Sequence, residues 1–207
     1  MLPRFSFVLT LIISLDLTAT VAAAPEQDAA ESFIQELGDQ AVSVLEDQSL
    51  SVTARESDLE TLLAKGFDMP FLARLALGRD FKSLSADQQS DYEVLFNDYI
   101  LTTYSRRFSG FHGISLEIVG ADAISDDDIV VQSQLMSVNG PPVKVDWRIR
   151  ERRDQLKIID VVIEGVSMVI TQRQEFQSIV QREGLDGLMS VLRARSERAT
   201  ASSNQGS

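Results

Sequence analysis

The stretch DVVIEGVSMVITQRQEF, Asp160 to Phe176, packs a strand, a break and a helix into one short span. Its first half is apolar and β-branched, as a buried strand is. Gly165 ends the run. Thr171–Gln174 (TQRQ) then reads as a capping box that opens a helix, with Phe176, Ile179 and Val180 on its inward side and Gly184 as its stop. A serine just after a glycine at a strand exit raises the question of a nucleophile. A nucleophile elbow needs Gly-x-Ser-x-Gly and a histidine partner. Here Gly165-Val166-Ser167-Met168-Val169 lacks the second glycine, and His112 is the only histidine in the chain. None of the four lysines has a serine three residues before it, which removes the Ser-x-x-Lys arrangement as well. Ser167 is therefore expected to make a polar contact in the turn. Gly165 is expected to take a positive φ or to allow a close backbone approach.

Upstream of this stretch the hydrophobic period is two. Ile114, Leu116 and Ile118 alternate with Ser115 and Glu117. Ile129–Val138 follows the turn SDDD (Ser125–Asp128), and NGPP (Asn139–Pro142) signals a hairpin. Val143, Val145, Trp147 and Ile149 then alternate with Lys144, Asp146, Arg148 and Arg150, and Gln155–Ile163 is the last strand. Four strands with short connections predict an antiparallel meander. In the last strand, strict alternation puts Leu156, Ile158 and Val162 on one face and Ile159, Val161 and Ile163 on the other.

Before Gly110 the period is helical. Ala30, Phe33, Ile34, Leu37, Ala41, Val44 and Leu45 fall on one face of a helix over Glu26–Glu46. TARE (Thr53–Glu56) reads as a capping box for a second helix that ends at Gly66. Asp68 suits the cap of a short helix, MPFLARLAL, stopped by Gly78. SADQ (Ser85–Gln88) opens a long helix to about Phe108, with Tyr92, Leu95, Phe96, Tyr99, Thr103 and Arg107 along a stripe. Leu185, Leu188, Met189 and Leu192 mark a last helix. The expected class is α+β: a four-stranded antiparallel sheet wrapped by about six helices around an apolar cavity.

The chain ends bound the domain. Residues 1–23 read as a signal peptide: Arg4, then FSFVLTLIISL, then small residues, with cleavage after Ala23. Residues 24–195 form a single expected domain, and the polar residues 196–207 an expected disordered tail. With no cysteine in the 207 residues, neither a lipid-modified N-terminal cysteine nor a disulfide is available. The expected compartment is the periplasm.

The formal charge of −12 repels nucleic acid and anionic membranes. RIRERR (Arg148–Arg153) is the only dense basic cluster, and strand alternation reads it as a solvated sheet face. Zinc wants cysteine and histidine ligands that this chain lacks, and SDDD does not have calcium-loop spacing. No cofactor and no catalytic residue is expected. What remains is apolar bulk, which suits an ordinary core. Apolar residues on both faces of the last strand also suit a cavity for an apolar ligand.

FDMPFLARLALGRDF (Phe67–Phe81), LSADQQSDYEVLF (Leu84–Phe96), the Tyr104 region and the run Ile158–Leu192 resemble the MlaC-type, or toluene-tolerance, family. The likeness spans about Ala30 to Leu192. Its most specific part is Asp160-Val-x-x-Glu-Gly-Val-Ser167, followed by Arg173 and Phe176. The resemblance implies a periplasmic phospholipid carrier. Its partners would be an inner-membrane ABC transporter complex with MCE domains and an outer-membrane lipoprotein–porin complex. Acyl chains would lie between sheet and helices, with the head group toward water. The lining it implies is Phe67, Phe71, Leu72, Leu75, Phe81, Phe96, Tyr99, Tyr104, Trp147, Val162, Val166 and Met168. PPVKVDWRIR (Pro141–Arg150) looks closer to a branch that travels with hopanoid biosynthesis, which makes a hopanoid-like polycyclic lipid the alternative cargo. Phe81 stands where the family often has tryptophan, and the acidic charge departs from the basic carriers expected of it. An exported hydrolase is disfavoured by the single histidine. An assembly factor would need an exposed apolar patch rather than an enclosed one.

Overall fold

The computed structural model describes residues 24–203, apart from Asn139 and Asp154. The expected signal segment, the first residue of NGPP and residues 204–207 lie outside the described residues. The elements run α1 (Ala24–Glu46), α2 (Val52–Gly66), α3 (Met69–Leu77), a 3₁₀ segment (Gly78–Ser83), α4 (Ala86–Ser109), β1 (Ile114–Ala123), β2 (Asp128–Ser137), β3 (Gly140–Arg152), β4 (Gln155–Ile163), β5 (Val166–Ser167) and α5 (Met168–Ser203). The sheet is an antiparallel meander in the order β1-β2-β3-β4-β5. It has five strands rather than four. Glu164 (φ 49°) and Gly165 (φ 80°) both take positive φ, as tight hairpin turns demand, and the chain comes back for one short pairing before the helix starts. α5 is broken at Gly184, where φ is 74° and ψ −179°, so it forms two helical arms. Its second arm runs on to Ser203, through much of the stretch expected as a tail.

Two helix starts differ from expectation. α2 is capped by Ser51, whose Oγ accepts from Ala54 N at 3.1 Å, not by Thr53. α5 is capped by Ser167, whose Oγ accepts from Ile170 N at 3.1 Å, while Thr171 Oγ1 donates back to the Ser167 carbonyl at 2.9 Å. In both cases a serine upstream of the threonine takes the first free N–H groups, and the threonine falls inside the helix. The other two caps match: Asp68 Oδ1 accepts from Phe71 N at 3.1 Å, and Ser85 with Gln88 forms a full capping box.

A bulge sets the parity of β4. Arg148 pairs with Asp160 and Ile149 with Ile158, so Ile159 is an extra residue. Beyond it the inward face shifts by one. Leu156, Ile158 and Val161 therefore share the same packing cluster, and the alternation that put Val162 with Ile158 is corrected.

The apolar contacts form two clusters. One joins Ala30 and Ile34 of α1 to Val131, Ile149 and Ile158 of the sheet. The other joins α3, α4 and both arms of α5 around Tyr92, Phe96, Phe176, Leu188 and Leu192. Phe67, between α2 and α3, packs against both clusters. RIRERR is not merely solvated. Arg150 forks onto Asp128 at 2.5 and 2.8 Å, Arg152 reaches Asp68 at 3.5 Å, and both guanidiniums lie 5.3 Å from the Phe71 ring. The cluster thus ties β3 to β2 and to the start of α3.

Candidate functional site

A partly enclosed cavity of about 260 Å³ lies between the two clusters. α1 supplies Ile34, Leu37, Ala41 and Leu45 to its wall, and α2 supplies Leu59, Leu62 and Leu63. α4 contributes Phe96, Ile100, Tyr104 and Phe108, which recur every fourth residue. The sheet contributes Leu116, Leu135, Val145, Trp147, Val161 and Ile163. Native interiors pack at crystal density with few voids larger than a water, so an apolar space of this size is not ordinary core.

α1 reaches the sheet through Gly38. A Cβ there would sit 2.6 Å from Leu116 Cδ2, a separation real Cβ atoms essentially never show. That close approach holds the α1 wall against β1.

The polar groups of the lining are few, and two are fully occupied. Asp160 Oδ1 accepts from Val161 N at 2.8 Å and Val169 N at 3.2 Å, and Oδ2 accepts from the Ser167 hydroxyl at 2.6 Å. Its charge faces the N-terminus of α5, where the helix dipole favours an anion. Trp147 Nε1 donates to Ser133 Oγ at 2.9 Å, and Ser133 donates to the Val145 carbonyl at 2.9 Å. With these groups satisfied internally, that part of the wall presents an apolar surface.

Of the expected lining residues, Phe67, Leu72, Phe96, Tyr104, Trp147 and Met168 do line the cavity. The others lie elsewhere. Phe71 sits under Arg150 and Arg152, and Phe81 packs edge-on to Tyr92. Tyr99 is buried against Phe176 and receives a hydrogen bond from Arg195 at 2.9 Å. Leu75 is half-buried outside the lining. Val166 is exposed on the β4–β5 hairpin, and Val162 faces away because of the bulge. The α1 and α2 walls were missed as lining. The α1 stripe was visible in the sequence, but a stripe alone does not distinguish a core face from a cavity face. Among the described residues no acidic, histidine or cysteine cluster suits a metal.

The family described as MlaC protein matches residues 35–194. The chain is 20% identical over 201 residues to the intermembrane phospholipid transport system binding protein MlaC of Haemophilus influenzae, covering 92% of each. It also superposes with a TM-score of 0.71 on a phospholipid-binding protein from Ralstonia solanacearum, solved in complex with a phospholipid. That match has 20% identity and covers 83% of this chain and 98% of the other.

Proposed function

The chain belongs to the MlaC family, and from that membership we propose that it is a carrier that encloses the acyl chains of a phospholipid in the cavity between sheet and helices. The observation that carries the reading is the cavity itself: its wall is almost wholly apolar, with the Asp160 carboxylate turned onto backbone N–H groups. Each methylene transferred from water into such a surface gains about 0.8 kcal/mol. A diacyl lipid has on the order of 30 methylenes, so escape through water is very slow unless a protein covers the tails. Covering them requires no catalytic step.

The carrier would work in the periplasm after export by the 1–23 segment. It would exchange lipid with an inner-membrane ABC transporter complex bearing MCE domains and with an outer-membrane lipoprotein–porin complex. The phospholipid named for the Haemophilus and Ralstonia relatives supports this cargo.

Trp147 is the only tryptophan and lines the cavity, so its fluorescence reports occupancy. Phosphatidylcholine with brominated acyl chains should quench it on binding, while a water-soluble bromide should not. Equal quenching by both, or none by the lipid, would contradict the reading.

A further inference from the structure

The cavity has an open end and a closed end. Phe111 is the most exposed residue of its lining, at 46%. Ile114 at the start of β1 and Ile163 at the end of β4 line it at that same end of the antiparallel meander. From there the α4 wall runs inward through Phe108, Tyr104 and Ile100 to Phe96, which is only 2% exposed. Three steps of four residues, from Phe108 to Phe96, span about 18 Å at the helical rise. The inner end is lined by Phe96 together with Ala76 of α3, and Ala76 is fully buried. Phe96 is itself backed by other rings. Its ring centroid lies 6.0 Å from that of Tyr92 and 6.1 Å from that of Phe176, and both of those side chains are fully buried. Tyr92 Oη donates to the Ala73 carbonyl at 3.0 Å, which ties α4 to the turn of α3 that leads to Ala76.

We infer that this closed end is a stop for the acyl chain, and that Phe96 and Ala76 set the chain length the cavity accepts. The charged head group is not the end that goes in, because burying it against apolar side chains without a partner is costly. It stays at the Phe111 end, in water, and the methyl end of the chain points to Phe96. With carbon–carbon bonds of about 1.5 Å, an extended chain advances about 1.3 Å per carbon, so the α4 row accommodates about 14 carbons. A close-packed aromatic floor does not yield as a liquid would. Each methylene beyond the stop is left in water, and that lowers binding about fourfold relative to a methylene that fits. At Ala76 the side chain is a single methyl group, so a larger residue there takes its volume from the end of the chain. The assignment rests on the carrier reading and adds a chain-length preference to it.

The test lets the delipidated full chain choose among chain lengths. Detergent is removed from a mixture of the protein with an excess of dilauroyl-, dimyristoleoyl-, dipalmitoleoyl- and dioleoylphosphatidylcholine in equal amounts. The protein is separated from the vesicles by size exclusion, and mass spectrometry compares the lipids bound to it with those left in the vesicles. The wild type should enrich the dimyristoleoyl over the dioleoyl lipid at least about tenfold. Phe96→Leu shortens the stop and should lower that ratio at least about fourfold, the value of one methylene. Ala76→Leu fills the closed end and should shift the bound mixture the other way, raising the dilauroyl over the dimyristoleoyl lipid by at least the same factor of about four. These ratios do not depend on the fraction of protein that folds, so a destabilised variant still gives an answer. Bound lipids that mirror the vesicle composition in the wild type, or ratios that stay put or move in the same direction in both variants, would overturn the proposal. If the wild type retains no phospholipid of any length, the carrier reading itself falls.

Discussion

The Ser167 hydroxyl donates to Asp160 and accepts from the Ile170 N–H, so one side chain fastens the start of α5 to the end of β4. Ser167→Ala should therefore lower stability in urea denaturation by about 1–2 kcal/mol, the usual cost of a lost helix cap, and leave lipid binding intact. Complete loss of function in folded Ser167→Ala would return the serine to the role of a nucleophile. Gly165 stands two residues before it with φ 80°, and a Cβ there would meet nothing within 4 Å. Only the backbone limits the position. Gly165→Val should cost about 1–2 kcal/mol, and Gly165→Asn clearly less, because asparagine tolerates the left-handed region. Equal costs for the two would point to a steric conflict instead. Both residues were legible as turn chemistry in the sequence, and serine and glycine carry that signal locally. The Asp160 partner was not, because that contact bridges two elements.

At the scale of elements, the long helices, the change of period after Gly110 and the meander could all be read from hydrophobic spacing. The bulge at Ile159 could not. With apolar residues at every position from Ile158 to Ile163 except Asp160, either parity buries a hydrophobic face, and the pairing with β3 decides. This gives a sharp contrast between neighbours. Val161→Glu places a carboxylate in the apolar cavity and should abolish phospholipid binding measured by Trp147 quenching. Val162→Glu points to the other face and should bind nearly as well as wild type. The reverse outcome would mean that β4 runs in the alternative register. Of the six lining residues that the sequence located, Phe67 and Leu72 flank the break before α3, Met168 follows the strand exit, Phe96 and Tyr104 lie on α4, and Trp147 lies on β3. Those it misplaced sit where a cation, a second aromatic or the bulge redirected the side chain, as with Phe71, Tyr99 and Val162.

For the whole molecule, a net charge of −12 disfavours adsorption to an anionic lipid surface. Vesicles rich in phosphatidylglycerol should not pull the protein down in sedimentation at about 0.15 M salt, because both surfaces are negative and screening only weakens their repulsion. Strong adsorption would contradict this. Gly38 lets α1 close onto Leu116 of β1. The central claim is that the cavity carries a phospholipid, and it is tested most directly by mass spectrometry of an organic extract of the protein purified without detergent. The prediction is glycerophospholipid in an amount comparable to the protein, and much less from Val161→Glu prepared in parallel. An extract from folded wild-type protein with no more phospholipid than that variant would contradict the account.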